Sequence, residues 1–279
     1  MPHLPIHGAE IYYEDTGGSG EPIVFSHGLL WSCRMYDAQV GALRDRYRCV
    51  AYDHRGQGQS VVSPPGSAPP TIDMEMVTAD AIALIEGLGL GRVHFCGLSM
   101  GGFVGMRIAA RRPDLLRSLV LLETSADPEP AENVPRYRLL NFIARWIGLG
   151  PVATPVMRIM FSRSFLRDPG RGRERELWRA RLVGNRRDIW RAVNGVIERR
   201  GVYEELGRIS APTLVVVGEE DVATVPAKAE RIHQAIAGSR LVRIPRAGHS
   251  STIEEPEAVT AAIGGFLEGV SAAAGGEDG

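Results

Sequence analysis

Short apolar runs alternate with amphipathic segments along most of this chain of 279 residues. Runs such as "RSLVLLE" and "PTLVVVG" are almost continuously apolar, as strands buried on both faces of a sheet are. Regular alternation of strands and helices predicts a mostly parallel sheet that helices cover on both faces. The predicted strands are 10–14, 22–26, 48–52, 92–97, 117–122, 212–217 and 240–244, and the predicted helices are 36–46, 72–88, 100–111, 226–237 and 256–269.

The alternation stops between residues 124 and 208. This segment begins with several prolines, continues with arginine-rich helical stretches and has no convincing strand pattern. Because it is too long for a simple loop, we predict a helical cap at 124–208, inserted into an α/β core of residues 1–123 and 209–270. The last residues, 271–279, lack apolar periodicity and are predicted to form a disordered tail.

Composition and charge exclude several classes of function. The net charge is -1, which does not favour nucleic acid as a partner. The start of the chain, "MPHLPIHGAEIYYED", lacks the basic and apolar regions of a secretion signal, and no apolar run is long enough to span a bilayer. The three cysteines have no metal-binding or redox spacing and are expected to be reduced thiols. We therefore expect a cytoplasmic protein without membrane or nucleic-acid partners.

The positive charge of the chain is concentrated in the predicted cap. Residues 136–208 contain 17 arginines, no lysine and seven acidic residues. One hypothesis is a basic lid over an anionic substrate. The other is a set of solvated helical faces in a chain whose single lysine is Lys228. We favour the second hypothesis, because runs of charge usually solvate a helix surface.

A serine lies between glycines where an apolar run meets a predicted helix. The string Gly97-Leu98-Ser99-Met100-Gly101 fits the pattern G-x-S-x-G on a strand-to-helix turn. One interpretation is structural, in which glycines permit a tight turn and the serine caps the helix. The other is chemical, in which a strained turn exposes the hydroxyl as a nucleophile beside the positive end of the helix dipole. The strand-turn-helix context favours the second interpretation, so Ser99 is the predicted nucleophile.

A serine nucleophile needs a base that removes its proton and an acid that orients the base. His249 lies on the glycine-flanked loop "IPRAGHSS", between the last predicted strand and the last predicted helix. Asp221 follows the strand "TLVVVG", which gives the chain order serine, acid, histidine. Glu123 ends the strand "SLVLLE" and is expected near the same edge of the sheet. Asp221 is therefore the favoured acid and Glu123 the alternative.

Two backbone N–H groups are expected to stabilise the negative charge that develops on the substrate oxygen. One belongs to Met100, the residue after the nucleophile. The other belongs to Leu29, in the loop "SHGLL" that follows a predicted strand. His27 lies in the same loop and is expected to brace it rather than to react.

Five motifs occur together and in a fixed order in this chain. They are "SHG" at 26–28, "DHRGQGQS" at 53–60, "GLSMGG" at 97–102, "GEEDVATVP" at 218–226 and "AGHS" at 247–250. In this combination, over about residues 5–270, the sequence resembles the α/β-hydrolase superfamily. Within it, the chain is most similar to the group of 3-oxoadipate enol-lactonases, cofactor-free haloperoxidases and esterases. The resemblance implies an α/β-hydrolase fold with a mostly parallel eight-stranded sheet, in which Asp53 and Arg55 brace loops.

The resemblance also implies the chemistry. It predicts a serine hydrolase that cleaves a small carboxylic ester or lactone through an acyl-enzyme, without a metal or an organic cofactor. The alternatives are a cofactor-free perhydrolase or haloperoxidase activity, and a ligand sensor that keeps the fold but acts by binding. Some lactonases of the superfamily carry a glutamate at the end of the strand after the nucleophile, which keeps Glu123 open as the acid. Assembly into a homo-oligomer also stays open.

Overall fold

A computed structural model of the chain describes residues 2–62 and 69–275. The strands are β1 (His3–Ile6), β2 (Ala9–Asp15), β3 (Pro22–Ser26), β4 (Arg48–Tyr52), β5 (Val61–Val62), β6 (Val93–Leu98), β7 (Leu116–Leu122), β8 (Thr213–Gly218) and β9 (Arg240–Ile244). The helices are α1 (Asp37–Leu43), α2 (Met74–Gly87), α3 (Met100–Arg111), α4 (Val134–Trp146), α5 (Ala153–Met160), α6 (Arg163–Arg167), α7 (Gly172–Val183), α8 (Trp190–Ile197), α9 (Pro226–Ala235), α10 (Ser251–Glu254) and α11 (Pro256–Gly275). Each predicted strand is present to within one residue at either end.

The strands form one twisted sheet in the order β1-β2-β4-β3-β6-β7-β8-β9. All neighbours from β4 to β9 are parallel, whereas β2 is antiparallel to both β1 and β4. The continuous order thus contains eight strands, as predicted. Within the described residues a ninth, β5, pairs with β2 outside that order and is only two residues long.

Two apolar layers cover the sheet, one on each face. Residues alternate between the layers along a strand, so that in β3 Ile23 and Phe25 join the first layer and Val24 joins the second. Helices α1 and α11 pack in the first layer, and α2, α3 and α9 pack in the second. The predicted arrangement of a mostly parallel sheet between helices is therefore confirmed.

Parallel pairing brings the candidate catalytic residues to one edge of the sheet. Ser99 directly follows β6 and Glu123 directly follows β7, while Asp221 and His249 lie in the loops after β8 and β9. The carboxyl ends of parallel strands meet at the same edge, which is where open α/β sheets bind ligands. The topology alone therefore places these four side chains near one another.

The segment at 124–208 lies over this edge and contains helices α4 to α8 and no strand. Its last part belongs to the core rather than to the helices above the edge. Val202 and Leu206 are buried in the second apolar layer, where residues 203–208 contact α3 and α9. The helices of the cap therefore end with α8, earlier than the boundary that the sequence suggests.

The predicted disordered tail differs from the structure. Helix α11 continues through Gly275, so residues 271–275 are helical rather than disordered. The alanines at 272–274 explain the difference, because alanine has the highest intrinsic helix propensity and needs no apolar periodicity to extend a helix. Residues 276–279 lie outside the described part of the chain.

A close approach between cap and core gives a test of the fold. A Cβ atom on Gly195 in α8 would lie 1.8 Å from the carbonyl oxygen of Ile72. We expect Gly195→Ala to lower the free energy of unfolding by about 1–3 kcal/mol, because α8 must move away from the core. Gly265→Ala is the matched control, since that helical glycine has open space around it and alanine is the better helix former. Urea denaturation of both variants measures this, and equal stabilities would contradict the close contact.

Candidate active site

Glycine is required on both sides of Ser99 because backbones crowd the turn. Ser99 itself has φ +51° and lies just before α3. A Cβ on Gly97 would lie 2.2 Å from the carbonyl oxygen of Gly101, and a Cβ on Gly101 would lie 1.9 Å from that of Ser26. Only residues without a Cβ fit these two positions. The strained turn holds the serine at the edge of the sheet.

The structure brings Ser99, His249 and Asp221 together in one chain of hydrogen bonds. His249 Nε2 lies 2.8 Å from Ser99 Oγ, and His249 Nδ1 lies 2.9 Å from Asp221 Oδ2. A carboxylate only accepts hydrogen bonds, so Nδ1 carries the proton and Nε2 presents its lone pair to the serine hydroxyl. All three residues are buried. The geometry is that of a nucleophile, a base and an orienting acid.

The Asp221 carboxylate has further donors that hold its orientation. Oδ1 accepts the N–H groups of Ala223 and Thr224, at 2.8 and 3.0 Å. Oδ2 accepts the Thr224 hydroxyl at 2.7 Å in addition to the His249 ring. With four donors, the carboxylate is held in place by its own loop, and the imidazole is held by the carboxylate.

Glu123, the alternative acid, faces a different group. Its Oε1 accepts the Gly218 N–H at 3.1 Å, and it has an unusual backbone φ of +40°. Among the described residues, the carboxylate hydrogen-bonded to His249 is that of Asp221. Burial and the nearby Asp221 charge hold the pKa of Glu123 well above its usual range, which favours the neutral acid. The geometry therefore favours Asp221 as the orienting acid.

The loop after β3 presents one of the two predicted oxyanion donors. In the described part of the chain, neither the Leu29 N–H nor the Met100 N–H donates to another protein group. Gln57 contacts both the loop after β3 and the start of α3. Its Oε1 accepts the Leu30 N–H at 3.0 Å, and its Nε2 lies 3.6 Å from Met100 Sδ. The backbone of Leu30 adopts the left-handed conformation, with φ +71°. Gln57 lies within the "DHRGQGQS" motif, but the sequence pattern does not reveal this contact.

His27 braces the oxyanion loop through both ring nitrogens. Its Nε2 accepts the His54 N–H at 2.9 Å, so its Nδ1 carries the proton and donates to the Gly28 carbonyl at 2.7 Å. Burial lowers the pKa of His27 below its usual value. The ring is therefore a neutral structural link between two loops, because both of its nitrogens are engaged in hydrogen bonds to the backbone.

Asp53 and Arg55 also hold loops in place. Asp53 accepts the Cys33 N–H and the Gln59 N–H, both at 2.7 Å. Arg55 forms a buried bidentate ion pair with Asp80, at 2.6 and 2.8 Å. Each links the turn after β4 to another part of the core.

Glu254 was not singled out from the sequence, but its carboxylate holds the loop of the candidate base. Oε1 accepts the N–H groups of Gly248 and Ser250, on either side of His249, at 3.0 and 3.1 Å. Oε2 accepts the Ser162 N–H from the cap at 2.8 Å. Burial raises the pKa of Glu254, and these N–H groups oppose the increase. One buried carboxyl group thus joins the histidine loop to the cap.

A cavity of about 130 Å³ lies between the cap and Ser99. Ser99, His249 and Leu29 line it from the core side. Apolar side chains of three cap helices form most of the remaining wall, among them Leu140, Ala144, Val156, Met160, Val193 and Ile197. A larger groove, of about 1040 Å³, is lined by cap residues between 154 and 179 and by residues 219–222, which include Asp221, but among the described residues its lining includes neither Ser99 nor His249. The smaller cavity is therefore the candidate substrate site.

Most arginines of the cap do not line the cavity that contains Ser99. Among the described residues, the cavity that contains Ser99 is lined by one arginine, Arg199. Arg158, Arg163, Arg167 and Arg179 line the larger groove instead. The hypothesis of a basic lid over an anionic substrate therefore finds no support in the lining of the cavity.

Other features of the described residues bear on partners and redox state. Cys33, Cys49 and Cys96 are buried free thiols. No group of three or more histidine, cysteine or acidic side chains is arranged to hold a metal ion within residues 2–62 and 69–275. Over the same residues, no helix combines the length and the apolar character needed to cross a membrane.

The chain is similar in sequence and structure to known hydrolases. It is 28% identical to 3-oxoadipate enol-lactonase 2 of Acinetobacter baylyi over 252 residues, which cover 90% of each chain. It superimposes on a thermophilic esterase from Thermogutta terrifontis with a TM-score of 0.86 and 32% identity, covering 96% of this chain and 97% of that one. The enol-lactonase from Burkholderia xenovorans LB400 gives a TM-score of 0.87 and 30% identity, with 96% and 100% covered.

The family model agrees with these similarities. The model of the alpha/beta hydrolase family matches residues 23–262, which include β6, β8 and β9, all of β3 except its first residue, and the loops that follow these strands. The resemblance inferred from the five sequence motifs is thus confirmed, as is the predicted fold class. This chain belongs to the alpha/beta hydrolase family.

Proposed function

We propose that this protein is a serine hydrolase that cleaves short carboxylic esters or lactones through an acyl-enzyme. The observation that carries the proposal is the position of His249, with Nε2 at 2.8 Å from Ser99 Oγ and Nδ1 at 2.9 Å from Asp221 Oδ2. A neutral imidazole so oriented can take a proton from the serine hydroxyl while the carboxylate stabilises the imidazolium that forms. Similarity to an esterase and to two enol-lactonases supports the same class of reaction.

The first half of the proposed reaction transfers the acyl group to Ser99. Ser99 Oγ attacks the ester carbonyl carbon while its proton moves to His249 Nε2. The carbonyl oxygen becomes negative and accepts hydrogen bonds from the N–H groups of Leu29 and Met100. The tetrahedral intermediate then collapses, and the proton on Nε2 passes to the leaving alkoxide. In a lactone, the new hydroxyl remains attached to the acyl group.

The second half of the proposed reaction restores the enzyme with water. His249 removes a proton from water, and the hydroxide attacks the acyl carbon of the Ser99 ester. The same two N–H groups stabilise the second tetrahedral intermediate. Its collapse releases the carboxylic acid and returns the proton to Ser99 Oγ. Each step is assigned to side chains, backbone N–H groups and water.

The cavity favours a short substrate. Its volume of about 130 Å³ is similar to that of a cavity of roughly 150 Å³ that accommodates benzene. Apolar side chains form most of its wall. We therefore propose acyl groups of a few carbon atoms, and we expect bulky lactones to react slowly unless the cap moves.

The nucleophile is tested by Ser99→Ala. We expect kcat for 4-nitrophenyl butyrate to fall by roughly a millionfold, because the remaining groups supply only binding and oxyanion stabilisation. In the wild type, a burst of 4-nitrophenol and a butanoyl adduct on Ser99 in mass spectrometry should reveal the acyl-enzyme. Turnover by a folded Ser99→Ala variant would refute the assignment. A wild type that is labelled once but never turns over would instead support the ligand-sensor alternative.

The choice of acid is tested by comparing Asp221→Asn with Glu123→Gln. Asp221→Asn should lower kcat by about ten-thousandfold, the effect of losing the orienting carboxylate in a serine-protease triad. Glu123→Gln should keep kcat within a few-fold, because glutamine resembles the neutral acid. The reverse order of effects would make Glu123 the acid.

The Glu123→Gln variant has a second, independent readout. A carboxyl group whose pKa is higher in the folded than in the unfolded state stabilises the fold less as pH rises, because the unfolded chain releases its proton first. The free energy of unfolding of the Glu123→Gln variant, relative to that of the wild type, should therefore increase as pH rises above about 4.3, the ordinary pKa of glutamate.

The role of Glu254 as a positioning residue is tested by Glu254→Gln. One amide oxygen can still accept the Gly248 and Ser250 N–H groups, but its NH2 group would then face the Ser162 N–H. The shift of the histidine loop should lower kcat by roughly 10–100-fold, since a displacement of about 1 Å can cost a hundredfold in rate. KM should change little, because Glu254 does not line the cavity. Glu257→Gln, at an exposed position of α11, is the control, and equal kcat values for the two variants would disprove the role.

A further inference from the structure

A buried ion pair lies in the wall of the candidate substrate cavity. Arg199 Nη1 donates to Glu129 Oε2 at 2.7 Å, and the two side chains are only 4% and 9% exposed. Both residues line the same cavity as Ser99. Replacing a buried ion pair by apolar groups is often neutral or stabilising, so stability alone does not explain its presence in a mostly apolar wall. Mostly apolar ligand pockets carry a small number of polar groups that fix the orientation of what they bind.

The guanidinium group of Arg199 has a fixed orientation. Its Nε donates to the Asp127 carbonyl at 3.2 Å, and Nη1 also donates to the Val196 carbonyl at 2.8 Å. Its Cζ lies 4.4 Å from the centroid of the Phe103 ring, which also lines the cavity. Nη2 donates no hydrogen bond to any residue within the described part of the chain. Two N–H bonds of this cavity-lining residue, both on Nη2, therefore have no protein acceptor among the described residues.

The charge of the pair limits which substrate group can accept these bonds. Glu129 neutralises the guanidinium, so the cavity wall carries no excess positive charge. A substrate carboxylate would add a second anion beside Glu129 in an apolar cavity and would lose its hydration. A neutral carbonyl oxygen can accept an N–H bond from Nη2 without either cost. The pair thus favours a neutral acceptor over an anion.

We propose that Arg199 Nη2 binds a neutral carbonyl oxygen in the acyl part of the substrate, so that short oxo-acyl esters or lactones are the preferred substrates. This inference rests on the proposed function of Ser99. It identifies Arg199 as the residue that selects the acyl group, and Glu129 as the residue that excludes acids.

Matched 4-nitrophenyl esters test the proposal with the unmodified protein. The first three esters are those of pentanoic acid, of 4-oxopentanoic acid and of succinic acid as the half-ester. Their acyl chains have the same length, counted in heavy atoms. The fourth carbon is a methylene group in the first, a ketone carbonyl in the second and a carboxylate carbon in the third. A second pair, hexanoate and 5-oxohexanoate, places the carbonyl one carbon further from the ester. After correction for each ester's rate with hydroxide, we expect kcat/KM of one oxo ester to exceed that of its saturated partner at least about tenfold. The half-ester should be the poorest substrate.

A double variant tests whether the ion pair causes this preference. Arg199→Met together with Glu129→Met removes both charges, so no unpaired ion stays buried. We expect the ratio of kcat/KM for the oxo ester to kcat/KM for its saturated partner to fall to about one. Arg179→Met, at an exposed arginine of α7, is the matched control and should keep the full preference. Circular dichroism shows whether each variant is folded, and the absence of an oxo preference in the wild type would overturn the proposal even if the double variant does not fold.

The outcomes separate this inference from the proposed function. Turnover of the saturated esters without any oxo preference would overturn the role of Arg199 and leave the hydrolase function intact. Faster turnover of the half-ester than of the other esters would show an anion site and would also overturn the proposal. Absence of turnover with every ester would refute the hydrolase function and this inference together.

Discussion

Backbone contact around the turn between β6 and α3 is the constraint on which the site depends. Besides the crowding at Gly97 and Gly101, a Cβ on Gly102 would lie 2.5 Å from Thr124 Oγ1. The Thr124 hydroxyl donates to the Ser99 carbonyl at 2.8 Å, and the Ser99 N–H donates to the Leu122 carbonyl at 2.8 Å. The strained residue is thus held by β7 and the residues after it. The same turn sets the direction of the serine hydroxyl and of the next N–H group, so it links the fold to the proposed chemistry.

The other two loops of the site depend on carboxylates that do not line the substrate cavity. Glu254 joins the histidine loop to Ser162, and Glu220, next to the candidate acid, accepts the Ser164 N–H at 3.0 Å. Ser162 and Ser164 lie in the same short segment of the cap. The loops of the base and the acid therefore share one support, and a displacement of this segment would disturb both. The cap segment thus supports the loops of the candidate site and also forms part of the cavity wall.

Local pattern predicted the sheet and the candidate nucleophile because each is encoded over a few neighbouring residues. A strand buried on both faces needs a continuous apolar run, and a serine on a strand-to-helix turn needs glycine two residues away on either side. The acid could not be chosen in this way. Asp221 and Glu123 both follow buried strands, and the decision lies in which carboxylate reaches the histidine ring. The extra turns of α11 were missed for a different reason, since an alanine-rich end extends a helix without any apolar pattern.

The sequence by itself thus determined the order of strands and helices, and it predicted a helical cap and candidate roles for Ser99 and His249. Only the tertiary structure decided which groups hold those residues in place and which side chains line the cavity. Glu254 meets Ser162 across 92 residues of sequence, and Arg199 meets Glu129 across 70. Neither contact leaves a periodic pattern or a motif in the chain, because hydrogen bonds between distant segments depend on how whole helices and loops pack. A buried carboxylate and an exposed one have the same letter in the sequence, and only burial and partners distinguish them.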